Sequence, residues 1–203
     1  MTDSEAERFA VAYASIRLRE PWAEKDRGRR TRAVADAVEL IRRELGAGAS
    51  IVSVGAGVMR LPGVITIDLL PTADITADMR ALPLADGSID GVLYAASLHY
   101  APIEVAIAEA ARVVRHDGLF VAIDSPIYAN EAAAAAAQAR SAAYYSRMGV
   151  PELSANYHPI DAAALRAALE ASGLELVRLT FGGRWRRLLR RGPTSFVLAR
   201  KLR

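Results

Sequence analysis

The chain has 203 residues, 52% of them hydrophobic and 24% charged, with a formal net charge of +3. That fits one globular domain with a substantial core and excludes a disordered chain. The lack of cysteine excludes disulfides, thiolate metal sites and a cysteine nucleophile. No metal-ligand spacing is present, the acidic start MTDSEAERFA has no signal-peptide pattern, and no apolar run nears the roughly 20 residues of a membrane span. A soluble, cytoplasmic protein is expected.

Residues 4–19 are expected to be helical and to close at Pro21. Residues 27–46 place Val34, Val38, Ile41 and Leu45 on one face with Gly46 just beyond, the spacing of a half-buried helix. Short β-branched runs then alternate with helical ones. SIVSV (50–54) and VITID (64–68) are nearly continuous in apolar character, as strands buried on both faces are. A short strand near 74–77 follows. Two more, 89–96 and 118–124, flank a helix over 102–115 with Pro102 in its first turn and Ile103, Ile107, Ala110 and Val114 on its face. Residues 131–147 form an alanine-rich helix. Asp161 caps a helix to Ser172, with Ile160 placed to staple onto Leu165 and Gly173 as its stop. Residues 174–181 and 194–201 close as an antiparallel pair. This alternation predicts an α/β three-layer sandwich around a mostly parallel sheet.

The stretch IVSVGAGVMRLPGVITIDLL (51–70) sets Gly55-Ala56-Gly57 at the end of one buried strand and Asp68 at the end of the next. Ligands of such sheets sit beyond the carboxyl ends of the strands. Glycines let the backbone approach a ligand or take φ > 0, and a carboxylate can accept both hydroxyls of a ribose. The three residues form a candidate nucleoside clamp, although glycines also serve ordinary tight turns.

Further on stand Asp78, Leu82-Pro83, Asp86-Gly87-Ser88-Ile89-Asp90, His99, Glu109, Arg112 and Gly118. In this order, from about 50 to 125, the sequence resembles the class I S-adenosylmethionine (SAM)-dependent methyltransferases, particularly their small-molecule branch. The resemblance implies a Rossmann-like sheet with an antiparallel C-terminal strand pair and SAM as cofactor. It implies that Gly55, Ala56 and Gly57 lie along the methionine and ribose portion. Asp68 and the adjoining Leu69 would hold the ribose, Asp78 and Met79 would meet the adenine, and Ser97 would line the methyl-transfer site with His99.

Three features depart from the family pattern. Ser53 stands where an acid usually precedes the loop, and Met59-Arg60 replace its third small residue. Only nine residues, 55–63, separate the two expected strands, fewer than a parallel crossover normally takes. A subset of these enzymes with Gly-x-Gly, a few residues, Pro-Gly, a strand and Asp looks the same, here as Gly55-Ala56-Gly57, Pro62-Gly63 and Asp68.

The expected organisation is a single domain over 1–203. It comprises N-terminal helices (1–48), a cofactor-binding core (49–125), an insertion or lid (126–158), and a C-terminal helix with the strand pair (159–203). The expected activity is methylation of a small molecule, at oxygen ahead of carbon or nitrogen. His99 and His158 are the candidate bases, and Tyr100, Tyr128, Tyr145 and Tyr157 the candidate substrate contacts.

Other functions compete with this reading. An NAD-dependent dehydrogenase needs G-x-G-x-x-G with an acid about 20 residues on, whereas Arg60 holds the third glycine position here. A nucleic-acid methyltransferase draws support from the basic end, where residues 184–203 hold eight Arg and Lys and no acid; removing them from the 26 basic residues leaves 18 against 23 acids, a balance of −5. Against it, Ala96-Ser97-Leu98-His99 replaces the Asn-Pro-Pro-Tyr-type motif. A non-catalytic SAM-fold protein is the third alternative, and self-association as a homodimer stays open.

Overall fold

The structure, a computed structural model, describes residues 8–13, 15, 22–182 and 194–203. The first expected helix is described over 8–13; residues 4–7, 14 and 16–19 lie outside the described residues, as do Arg184, Arg186, Arg187, Arg190 and Arg191. Helix α1 spans Trp22–Leu45, so it begins five residues before the predicted start and runs through Gly28. The strands are β1 (Ile51–Val54), β2 (Ile65–Asp68), β3 (Ile75–Thr76), β4 (Ile89–Ala95), β5 (Val114–Ile123), β6 (Ile127–Tyr128), β7 (Ile160–Asp161), β8 (Leu174–Phe181) and β9 (Ser195–Lys201). Helices α2 (Ile103–Val113), α3 (Glu131–Arg147) and α4 (Ala162–Ala171) complete the regular elements.

Seven strands form one sheet in the order β3-β2-β1-β4-β5-β9-β8. The first five are parallel, and β9 runs antiparallel to both of its neighbours. Residues alternate between the two faces, as a pleated strand requires. Ile51, Leu93, Leu119, Val121 and Ile123 meet Val34, Val38 and Ile41 of α1. Val52, Val54, Val92, Tyr94, Phe120 and Ala122 face Ile107 and Ala110 of α2 with Leu165 and Leu169 of α4. The three-layer sandwich is therefore the observed one. Among the described residues no helix is long and apolar enough to cross a membrane.

One boundary differs from expectation. The helix predicted to reach 115 stops at Val113, and β5 starts at Val114 instead of 118, because Val114 already pairs with Ile89 at the base of β4. The Val113-Val114-Arg115 run suits either conformation, and the pairing decides it.

The β1–β2 connection contains no helix. Residues 55–64 turn through short bonds, Met59 N to Ala56 O and Val64 N to Leu61 O, and Arg42 of α1 donates to the Pro62 carbonyl at 2.9 Å. A four-residue strand is only about 13 Å long, and ten residues can reach about 30 Å. Short strands thus remove the need for a helix in the crossover.

Much of the family-like motif is a clamp that positions the β3–β4 connection. Glu109 accepts from the Leu82 backbone N–H and from Arg112, both at 2.6 Å. Arg112 also donates to the Leu82 and Leu84 carbonyls and to Asp86. At the base of the sheet, Asp90 accepts from the Ser50 hydroxyl and backbone and from Arg115. The Arg112 hydrogen bonds to Glu109 hold its carboxyl below the usual range against the opposing effect of burial. A depressed carboxylate stabilises the fold above its unfolded pKa and loses that contribution as pH falls through the folded value. Glu109→Gln should therefore lower stability by about 1–3 kcal/mol at pH 7. In urea denaturation series the gap between wild type and variant should narrow below pH 4.5.

Candidate functional site

The strand order reverses between β1 and β4, where an open sheet leaves a crevice. The carboxyl ends of both strands are tied there by Ser97, whose Oγ donates to the Val54 carbonyl at 2.6 Å. Gly55, at φ +67°, packs directly on that serine; a Cβ at this position would lie 2.4 Å from Ser97 Cβ. Gly55 N and Ala56 N both donate to Ile67 O, which turns the loop over the end of β2. Gly57 has φ +60°, and its missing Cβ would meet nothing within 4 Å. The first glycine answers to close packing, the second to backbone conformation beside open space.

Asp68 accepts from Gly57 N at 2.7 Å through Oδ2 and from Leu70 N at 2.9 Å through Oδ1. Each oxygen retains acceptor capacity. The carboxylate lines a cleft together with Gly55, Leu69, Asp78, Met79, Ser97 and Tyr100. Six of the eight expected cofactor contacts thus line one cleft; Ala56 and Gly57 form the loop behind it.

Asp78 is held by Arg80 through both carboxylate oxygens. Burial raises its pKa, but hydrogen bonds from the Arg80 side chain and backbone, with the guanidinium charge, outweigh this and keep it below the usual value.

The expected catalytic and substrate residues are spread more widely. His99 sits in a single 3-10 turn, Leu98–Tyr100, and is buried. Its ring lies between Tyr100, 4.3 Å away, and Tyr157, 5.3 Å away. The His99 carbonyl accepts from His158 N at 2.8 Å. His158 lines a second, more open cavity with Glu104, Glu131, Gln138, Tyr157 and Asp161. Burial and then the Arg80 charge lower its pKa from 6.5, with Glu104 opposing. Tyr157 bonds to Tyr128 and Ser141, and burial followed by the Tyr128 contact raises its pKa. Tyr145 packs away from both cavities in a satellite core with Ala12, Val150 and Leu153. Of the four tyrosines, Tyr100 alone lines the cofactor-type cleft.

Sequence reasoning missed seven residues that line the cleft, among them Phe9, Tyr13, Arg80 and Asn156. Phe9 and Tyr13 stack at 6.0 Å and pack on Tyr100 at 5.8 and 5.6 Å. Their i, i+4 spacing was the available signal, since it sets two aromatics on one face of a helix.

A methyltransferase-domain family model matches residues 56–122. No curated protein matches the sequence. A methyltransferase-fold protein of Bacillus halodurans superposes with a TM-score of 0.62 at 15% identity, over 83% of this chain and 100% of that one. The Burkholderia thailandensis 1,6-didemethyltoxoflavin-N1-methyltransferase, with bound 1,6-didemethyltoxoflavin and S-adenosylhomocysteine, gives 0.59 at 19% identity, over 97% of this chain and 90% of that one. The geranyl diphosphate C-methyltransferase of Streptomyces coelicolor A3(2), with S-adenosylhomocysteine, gives 0.55 at 12% identity, over 83% and 79%. Together with the sheet order, these likenesses show that the chain has the fold of these methyltransferases, with the family-model match confined to residues 56–122.

The two glycines should respond differently to substitution. Gly57→Ala should cost about 1–2 kcal/mol, the penalty of a left-handed backbone alone. Gly55→Ala should add about 1–3 kcal/mol of overpacking against Ser97. Thermal melts of both variants check the order.

Proposed function

We propose that this domain transfers the methyl group of SAM to an oxygen of a small-molecule acceptor. The carrying observation is Asp68, which lines the cleft with acceptor capacity left on both oxygens while it holds the Gly57 N–H. When bound, SAM supplies an activated methyl group on a sulfonium. Asp68 would accept the ribose hydroxyls, with Gly55, Ala56, Gly57 and Leu69 along the same portion. Asp78 and Met79 would border the adenine. Ser97 would fix the strand ends at the transfer site. Phe9, Tyr13 and Tyr100 would exclude water and orient the acceptor, which is most of what transfer from such a donor requires.

A hydroxyl acceptor must also lose a proton. His158 is the better supported base, because it lines an open cavity and its depressed pKa leaves it neutral at pH 7. His99, packed between tyrosine rings, would hold that wall in place and stand second. The insertion over 126–158 would act as the lid, with Tyr128, Tyr145 and Tyr157 shaping it from within.

Calorimetry should give binding of SAM and none of NADH; the reverse result ends this reading. Asp68→Ala should weaken SAM binding about tenfold to a hundredfold, since hydrogen bonds to a charged group are each worth about 1.5–3 kcal/mol. An unchanged dissociation constant would place the ribose elsewhere.

The pH profile tests the base. A base acts when neutral, so kcat/KM should rise with pH through a midpoint below the usual 6.5 of a histidine. His158→Ala should remove that acidic limb and lower turnover about a hundredfold or more. A limb that survives in the variant would assign the proton to another group.

A further inference from the structure

Arg80 stands two residues after Asp78 and grips it completely. Asp78 Oδ1 accepts from the Arg80 backbone N–H and from Nε, each at 3.0 Å. Oδ2 accepts from Nε at 3.1 Å and from Nη2 at 2.6 Å. A carboxylate offers about four lone-pair positions, and one residue fills them. The side chains are 23% and 26% exposed, so the pair sits mostly in the wall. Arg80 is also the one cationic side chain among the described residues that line the cleft.

Two consequences follow for a cleft that takes adenine at this position. An amino group cannot donate to Asp78 while all its positions are taken. A guanidinium displaced from Asp78 is then left in a largely shielded wall, where an unpaired charge is costly and a new anion is favoured. Its charge also acts on His158, which lines the second cavity.

We propose that Arg80 is a cofactor-released latch, occupying Asp78 in the free protein and turning to an anionic group of the acceptor once adenine takes an Asp78 oxygen. The proposal rests on the SAM reading above. It names the acceptor class as small molecules carrying a carboxylate, a phosphate or a similar anion, bound after the cofactor. It also gives Arg80 a cost to cofactor binding, since its grip must loosen first.

Calorimetric titration of S-adenosylhomocysteine into wild type, Arg80→Gln and Arg80→Lys tests the latch, with thermal melts confirming that each is folded. Breaking a partly exposed ion pair is worth up to about 1 kcal/mol, so Arg80→Gln should bind about two- to fivefold tighter than wild type. Arg80→Lys, which cannot grip through two nitrogens, should fall between them and serves alone if the glutamine variant fails to fold. Equal or weaker binding in the folded variants overturns the latch and makes Arg80 a support for Asp78 or a contact of the cofactor's own carboxylate. Inorganic phosphate is the probe for the released state. It should bind the S-adenosylhomocysteine-loaded wild type, but neither the cofactor-free wild type nor loaded Arg80→Gln or Arg80→Lys at the same strength. Phosphate binding that is indifferent to cofactor or to Arg80 overturns the acceptor class. Wild type that binds no S-adenosylhomocysteine would instead remove the SAM reading itself.

Discussion

A single buried hydroxyl holds the functional end of this sheet together. Strands β1 and β4 run parallel side by side, yet the chain leaves them in different directions, and this divergence opens the crevice. Ser97 Oγ bonded to the Val54 carbonyl keeps the two ends in register. The contact is so close that the residue after β1 can carry no side chain. From Gly55 onward the loop must fold back over β2, and it does so by donating two backbone N–H groups to the Ile67 carbonyl. Asp68 then lies within 2.7 Å of Gly57 N. The position of the acid is thus a consequence of a tie two strands away.

The absent crossover helix fits the same economy. β1 and β2 have four residues each, and a loop built from turns is long enough to connect them. What replaces the packing of a helix is partial: Arg42 braces the loop at Pro62, while Val58 is left 75% exposed. The Glu109–Arg112 clamp does comparable work on the other side by fixing Leu82 and Leu84, just after Asp78 and Arg80. Both walls of the cleft are therefore loops held by side-chain-to-backbone bonds.

The strands of the main sheet were legible because β1 and β4 are short apolar runs between turn residues, buried along their length as strands covered on both faces are, whereas the two-residue pair β6 and β7 was not expected. The helix faces were legible for the same kind of reason, and Asp161 caps α4 as its position implied, accepting from Ala163 N and Ala164 N. The glycine loop and Asp68 could be placed in one site because sheet topology fixes where strand ends meet. Residues brought in from afar could not. The spacing of Phe9 and Tyr13 says that they share a face, but not that Tyr100 receives them. Arg80 looks in sequence like a solvated charge, since nothing local reveals a carboxylate oriented to chelate it. Glu109 and Arg112 were visible as motif members, whereas their role as a brace depends on two loop carbonyls with no side-chain signature.

The order of strands at the far side of the sheet constrains how the molecule can be made. β9 follows β8 in the chain but lies between β5 and β8, pairing with both. During synthesis, β8 emerges with no neighbour to receive its backbone, and β5 presents an open edge, apolar over residues 119–123, until β9 arrives. An exposed edge of that kind recruits other strands. The parallel half of the sheet, which carries the cleft, can assemble first, while a ribosome-bound chain waits with a sticky margin. Interruption of translation between residues 181 and 195 would leave a protein with its cleft outlined and its β5 edge open to other chains.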